Sequence, residues 1–120
     1  MKEALADLPI ELKQGELVTR YVEWGDMGVR YARVPAGTDM SPVLEGLPGD
    51  RCPSHHWGIV LEGAITILDQ DGAEETTSAG EAYYWPAGHT ASTLVDTVFL
   101  EVGPVETMRQ FSEHAKAKFA

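Results

Sequence analysis

The sequence predicts an all-β protein, an antiparallel β-barrel with a short α-helix at its C-terminal end. Short β-branched and aromatic segments, separated by Gly and Pro, follow one another at the roughly 8–12-residue spacing typical of sandwiches and barrels. A strong two-residue hairpin signal stands at Asp71-Gly72. Near the end of the chain the apolar spacing becomes helical. We therefore expect a single domain over residues 1–120, with an N-terminal extension at 1–14 and the helix at 105–120.

The first half of the chain predicts a hairpin followed by a long loop. Leu17–Trp24 and Gly28–Val34 are rich in β-branched and aromatic residues and are separated by Gly25-Asp26. Such a pair of residues between two strands indicates a tight turn. Residues 38–54 are rich in Pro and Gly and predict an irregular connection. A loop of this length in a small domain is often functional.

The second half predicts short strands joined by tight turns. Gly and Pro mark turns at positions 63, 71–72, 79–80 and 86–88. We expect strands at 56–61, 64–68, 73–78, 81–85, 91–95 and 97–102. Beyond them, the spacing of Met108, Phe111, Ala115 and Phe119 predicts an amphipathic helix, packed on the barrel exterior or on a partner subunit.

Composition and charge exclude several classes of function. The formal net charge is −10, with 19 Asp and Glu against 9 Lys and Arg, which disfavours a nucleic-acid partner and an anionic membrane surface. No apolar run is long enough for a membrane span, and the acidic N-terminal segment does not resemble a signal peptide. We therefore expect a cytoplasmic protein. Cys52 is the only cysteine, so its role is packing, metal binding or redox chemistry.

Two stretches resemble the sequence motifs of the cupin superfamily. Gly80 is followed by five residues and then Pro86-Ala87-Gly88, and His56 lies seven residues before Gly63 at the end of VLEG. The likeness runs from about Arg30 to Pro104 and is greatest to small single-domain bacterial cupins. It implies a double-stranded β-helix, or jelly roll, and a homodimer. Cupins carry many unrelated activities, so the resemblance implies no particular reaction.

The chain departs from the cupin pattern at the metal motifs. The usual H-x-H pair is absent, and its two places fall on Asp50 and Cys52. His56 stands where the motif has Glu, and His89 lies two residues before Ala91, the expected place of the last histidine. The usual set of three His and one Glu is therefore not carried over to this chain.

An alternative metal-ligand set is formed by Asp50, Cys52, His56 and His89. Residues at even separations share one face of an extended strand, and the resemblance places that face inside the barrel. Carboxylate, thiolate and imidazole together suit Zn²⁺, Fe²⁺ or Ni²⁺. Structural roles stand beside this hypothesis: a hydrogen-bonded core histidine, a small buried cysteine and an Asp that bonds its local backbone. His55 should face outward, and it remains a reserve ligand because Pro53 can kink the strand.

We also expect a ligand pocket, with Tyr84 and Glu101 in its wall. Pockets are largely apolar with a few polar groups, and an inward Glu is costly unless it is paired with a metal or a cation. The main hypothesis is a metal-dependent enzyme, an oxygenase or an isomerase, acting on a small molecule with His56 as ligand or catalytic acid–base. The alternatives are a non-catalytic metal- or small-molecule-binding cupin, and a metal-free enzyme with His56 as general base. The unpaired strand edges and the amphipathic last helix also favour a homodimer.

Overall fold

Nine strands and two α-helices make up the computed structural model, which describes residues 1–119. Two short 3-10 turns complete it. In chain order the elements are β1 (Ile10–Gln14), β2 (Leu17–Trp24), β3 (Met27–Val34), α1 (Ser41–Leu44), β4 (His56–Glu62), β5 (Ala64–Leu68), β6 (Glu74–Ser78), β7 (Ala82–Trp85), β8 (Thr90–Thr93), β9 (Thr97–Pro104) and α2 (Val105–Lys118).

The strands form two antiparallel sheets that face each other, so the prediction of an all-β jelly roll with a C-terminal helix is confirmed. The larger sheet has six strands in the order β1-β2-β3-β9-β4-β7, and the smaller has three in the order β6-β5-β8. Val60 and Phe99 from the larger sheet and Ile65 and Ile67 from the smaller belong to one buried core. Alternating side chains from both sheets therefore fill the interior.

Both predicted hairpins are present. Trp24 pairs with Met27 across Gly25-Asp26, and Leu68 pairs with Glu74 across the turn that contains Asp71-Gly72. The turn glycine Gly88 has a positive φ of 88°, a conformation that only glycine adopts without strain. That turn leads directly into His89, so it fixes the direction from which this side chain enters the barrel.

The N-terminal segment is more than an extension. Residues 10–14, predicted as part of an N-terminal extension, form β1 and pair with β2 at the edge of the larger sheet. Glu11 and Leu12 on this strand are buried. The strand was missed because the segment is short and carries few β-branched residues.

The last helix packs on its own barrel. Met108, Phe111, Ser112 and Ala115 of α2 are buried, and the helix ends at Lys118, while the predicted end at Ala120 lies outside the described residues. Phe119, predicted to lie on the apolar face of the helix, is its C-cap. Of the two locations expected for this helix, the structure shows the barrel exterior. No helix within residues 1–119 is long and apolar enough to cross a membrane.

Candidate metal centre

A cavity of about 60 Å³ lies between the two sheets, with Leu44 of α1 and Phe111 of α2 in its wall. Most of its wall is apolar, and the polar side chains converge on one side. It is lined by Thr19, Arg30, Val34, Met40, Leu44, Cys52, His56, Ile65, Trp85, His89, Ala91, Phe99, Glu101 and Phe111.

Three metal-ligating side chains meet in this cavity. The sulfur of Cys52 and ring nitrogens of His56 and His89 all lie within 4.8 Å of one another, and all three residues are buried. His56 is the first residue of β4, and the turn before β8 supplies His89. Cys52 is held next to His89 by a backbone hydrogen bond, in which the Cys52 N–H donates to the His89 carbonyl over 3.0 Å. The fold thus brings together residues from three separate segments.

Hydrogen bonds fix the orientation of both imidazoles. Nδ1 of His89 lies 2.6 Å from the carbonyl oxygen of Pro86, which can only accept, so Nδ1 carries the proton. Nδ1 of His56 lies 3.0 Å from Sδ of Met108 on α2, and a thioether sulfur likewise only accepts. The lone pair is therefore on Nε2 in both rings. A metal-binding histidine has this arrangement, in which the other ring nitrogen donates to a neighbouring group.

Burial keeps these side chains uncharged in the absence of a cation. It lowers the pKa of His56 to about 3 and raises the pKa of the Cys52 thiol to about 12, because a low-dielectric interior disfavours the charged form of each. The Cys52 thiol donates to the Ser54 carbonyl oxygen over 3.8 Å, and its Sγ lies 3.3 Å from Nε2 of His56. A neutral imidazole is already in the form that binds a metal ion, whereas the thiol must lose its proton.

A buried ion cluster borders these three side chains. The Arg30 guanidinium donates to both carboxylate oxygens of Glu11, over 2.8 and 3.0 Å, and to Oε2 of Glu101 over 2.8 Å. The Tyr83 hydroxyl donates to the other oxygen of Glu101 over 3.1 Å. Burial alone raises the pKa of Glu101, but the adjacent Arg30 guanidinium and its hydrogen bond to Oε2 hold it below its usual value. Glu101 is therefore ionised.

The ion cluster carries an unbalanced negative charge. Among residues 1–119, the buried Asp, Glu, Lys and Arg side chains are Glu11, Arg30 and Glu101, which together bear two negative charges and one positive. Oε2 of Glu101 lies 3.8 Å from Nε2 of His56. An uncompensated charge in the interior is costly, so the cavity favours a cation at this point.

The structure corrects two of the predicted site residues. Asp50 is exposed, and its Oδ1 accepts from the Gly46 N–H over 3.0 Å, because Asp50 lies in a turn with a φ of 57°. Asp50 thus bonds its local backbone and does not join the cluster. Tyr84 is 50% exposed, because successive residues of β7 point to opposite faces, and it is the neighbouring Trp85 that lines the cavity.

The remaining predicted residues lie where the strand pattern put them. Glu101 lines the cavity. His55 lies on the outer side of the sheet, where its ring meets Trp57 edge-on with centroids 5.0 Å apart. Arg30, Glu11 and Met108 were not predicted as site residues from the sequence. For Arg30 a signal existed: it shares its face of β3 with Ala32 and Val34, small apolar residues that indicate the interior.

Comparisons with known proteins identify the fold. No protein-family model matches the sequence, and no curated protein matches it significantly. Solved structures do. A protein of unknown function from Rhizobium leguminosarum is 24% identical, with a TM-score of 0.63 over 87% of this chain and 95% of that one. A sugar phosphate isomerase of the cupin superfamily from Silicibacter pomeroyi is 19% identical, with a TM-score of 0.60 over 87% and 75%.

A third match extends to a larger enzyme. A variant of Bacillus subtilis oxalate decarboxylase is 16% identical, with a TM-score of 0.61 over 87% of this chain and 29% of that one. The molecule is thus a small jelly-roll protein with a buried Cys-His-His group. Its fold is that of the cupins, and the expectation drawn from the sequence motifs is confirmed at that level.

Proposed function

We propose that this cupin binds one divalent metal ion through Sγ of Cys52 and Nε2 of His56 and His89, with Glu101 as a neighbouring carboxylate. The observation that carries the proposal is the convergence of these three donors beside the unbalanced charge of the ion cluster. A divalent ion bound to a Cys52 thiolate would leave one positive charge, which that cluster neutralises. Thiolate and imidazole together suit Zn²⁺ best, and Fe²⁺ or Ni²⁺ next.

The proposed activity is that of a metal-dependent enzyme of the isomerase kind, acting on a small organic molecule. Three protein donors leave a position open for a substrate oxygen, and the metal supplies Lewis-acid polarisation of that oxygen when bound. The chain's own residues would hold and orient the substrate in an apolar cavity that excludes water. Two cupin-fold matches are named as enzymes, a sugar phosphate isomerase and an oxalate decarboxylase, which supports an enzymatic use of this cavity.

The metal content of untagged protein tests the proposal. We expect close to one metal ion per chain, and a loss of affinity for Zn²⁺ of at least about 100-fold in His56→Ala, since a ligand matters more than its supporting groups. His55→Ala is the matched control, because the adjacent histidine lies on the outer side of the sheet. It should bind like the wild type. Cobalt substitution should give a thiolate-to-metal charge-transfer band that Cys52→Ser removes.

Two results would contradict the metal site. The first is an absence of metal in the wild type after reconstitution with Zn²⁺ and with Fe²⁺. The second is unchanged affinity in a folded His56→Ala protein. A charge-transfer band that persists in Cys52→Ser would exclude the thiolate as a ligand. It would not argue against the two histidines as ligands.

A second candidate is a non-catalytic metal-binding cupin, a sensor or accessory module. Apart from the metal donors, the polar cavity groups that could move a proton are already engaged: Glu101 is held by Arg30 and Tyr83, and Thr19 donates to Glu11. Met108 links His56 to α2, so metal binding would reach a surface helix. Slower amide exchange in α2 on metal addition supports this alternative, and unchanged exchange argues against it.

A further inference from the structure

The three metal donors are almost closed off from solvent. Cys52, His56 and His89 are 5, 2 and 4% exposed, and the cavity beside them holds about 60 Å³. A space of that size admits a few water molecules. An organic molecule of more than a few atoms therefore reaches the donors only when part of the cavity wall moves.

One segment near the cavity, residues 41–50, is attached more loosely than the rest, and we call it the flap. It contains α1. Its ends are anchored, because the Met40 N–H donates to the Ala91 carbonyl over 2.9 Å and the Cys52 N–H donates to the His89 carbonyl over 3.0 Å. Within the described part of the chain, every backbone–backbone hydrogen bond of the flap stays inside the flap and one flanking residue on either side. The flap is thus fixed at its ends and unpaired with any strand between them.

Two side chains of α2 hold the middle of the flap. Nε2 of His114 lies 2.9 Å from the carbonyl oxygen of Val43, which can only accept, so the ring donates. Nζ of Lys118 donates to the Glu45 carbonyl over 2.9 Å. The His114 ring also lies against Gly46, where a Cβ would come within 3.0 Å of it. These contacts join the flap to the helix by side chains alone.

The underside of the flap packs on the barrel through apolar contacts. Val43, Leu44 and Leu47 are buried, and Leu44 forms part of the cavity wall. The other wall elements are strands in hydrogen-bonded ladders and α2, which packs on the Arg30 guanidinium through Phe111. Segments with few hydrogen bonds to the rest of a protein open at the lowest free-energy cost. The flap is therefore the part of the wall that moves most easily.

We propose that the flap moves away from the cavity between its two anchored ends to admit a substrate, and that His114 and Lys118 of α2 hold it closed. This inference deepens the proposed function by naming what controls access to that site, and it rests on that function only for the identity of what enters. With the flap closed, the donors and a bound molecule are kept from bulk water. Lids of this kind open within microseconds to milliseconds.

The reactivity of Cys52 measures this opening, because it is the only cysteine of the chain and is buried in the cavity wall. The probe is dithiodipyridine, an uncharged aromatic disulfide too large for a cavity of about 60 Å³. Its exchange with the thiol releases a coloured thiopyridone. Rates are measured on the metal-free full chain, in water and at low urea concentrations. Labelling through local opening is insensitive to urea, whereas labelling through global unfolding follows the unfolding equilibrium.

Val43→Ala loosens the flap from its own side, and His114→Ala removes a contact made by α2. We expect Cys52 to react at least about 10-fold faster in Val43→Ala, because two buried carbons are lost, and about 3- to 10-fold faster in His114→Ala, because one hydrogen bond is lost. Lys116→Ala is the matched control, since Lys116 is an exposed residue of the same helix and only its neighbours His114 and Lys118 bond to the flap within residues 1–119. It should react like the wild type.

Three results would overturn the inference: wild-type labelling that follows global unfolding at every urea concentration, an unchanged rate in either folded variant, or an equal acceleration in Lys116→Ala. Failure of the metal proposal looks different. In that case Zn²⁺ does not slow the labelling of Cys52, while Val43→Ala and His114→Ala still speed it. If the metal site is correct and the flap is not, Zn²⁺ protects the thiol and both variants react like the wild type.

Discussion

At the scale of single residues, the buried guanidinium of Arg30 connects the charged side chains of the interior. It is held between the two carboxylates of Glu11 and Glu101 and lies over the rings of Phe111 and Tyr21, 4.6 and 5.1 Å from their centroids. Planar stacking and forked hydrogen bonding are properties of arginine that lysine does not share. Arg30 therefore fixes the position of Glu101, which in turn faces the metal donors.

Removal of one carboxylate from this cluster should be destabilising. We expect Glu11→Gln to lower the free energy of unfolding by about 1–3 kcal/mol at neutral pH, because the amide oxygen accepts from only one of the two Arg30 N–H groups that Glu11 now holds, although Glu101 still balances the charge of Arg30. The measurement is urea unfolding followed by circular dichroism. Glu16→Gln is the control, since Glu16 is an exposed carboxylate of the neighbouring turn, and it should stay within about 0.5 kcal/mol of the wild type.

The same variant makes a prediction about pH. Burial alone raises the pKa of Glu11, but Arg30 outweighs this effect and holds it below the ordinary value of 4.5. A carboxylate with a lowered folded-state pKa stabilises the fold above its unfolded-state pKa, and this contribution is lost as the pH falls. The difference between the wild type and Glu11→Gln should therefore shrink as the pH is lowered below about 4.5. A constant difference down to acid unfolding would show that Glu11 is not held ionised by Arg30.

Residue patterns predicted part of this site, and the reason for the limit is physical. The even spacing of Cys52 and His56 put both side chains inside the barrel, because strand geometry is local. Glu11 and Glu101 meet on Arg30 from sequence separations of 19 and 71 residues, and no local pattern encodes such contacts. Asp50 lies at an even separation from Cys52, but the prediction that it also faces the barrel interior was wrong, because the chain forms a turn there.

At the scale of elements, helix α2 acts on the site from outside the sheets. Met108 and Phe111 of this helix reach the cavity side of β3 and β4, where they contact Arg30 and His56. Apolar periodicity predicted the helix and its buried face, since amphipathic spacing is a strong signal. The role of Met108 as a partner of His56 followed only from the packing.

Replacement of Met108 should show whether this residue orients the His56 ring or only fills space beside it. Met108→Leu keeps nearly the same volume, so unfolding should change by less than about 1.5 kcal/mol. Without the sulfur acceptor, His56 is no longer held in one orientation, and Zn²⁺ affinity should fall by about 10-fold. Met40→Leu, at a cavity-lining methionine without a contact to His56, should leave the affinity unchanged. Equal losses in the two variants would assign Met108 a packing role only.

At the scale of the whole molecule, one surface is apolar although the chain carries a formal net charge of −10. The outer face of the larger sheet carries the apolar side chains Trp57, Ile59 and Leu61 of β4 beside Tyr84 of β7, exposed by 49, 37, 40 and 50%. Trp57 and Tyr84 pack together with ring centroids 5.2 Å apart. Exposed apolar patches of this kind mark interaction surfaces, and β7 is also an unpaired edge of its sheet.

A second copy of the chain is the occupant we expect on this outer sheet face. Two chains of formal charge −10 repel each other over most of their surfaces, so they can associate closely only where charges are absent. Since the apolar face of α2 already packs on its own barrel, we expect the dimer to form through the sheet face and not through the helix. An isologous interface would place β4 of one protomer against β4 of its partner.

The mass in solution tests this arrangement. Light scattering should give twice 13.1 kDa for the wild type and a single chain for Trp57→Glu, because the new carboxylates would face each other in an apolar interface. Leu94→Glu is the matched control, since Leu94 is 89% exposed but lies in the turn between β8 and β9 and on neither β4 nor β7. It should remain a dimer. A monomeric wild type, or a folded Trp57→Glu protein that stays dimeric, would assign the association to another surface or exclude it.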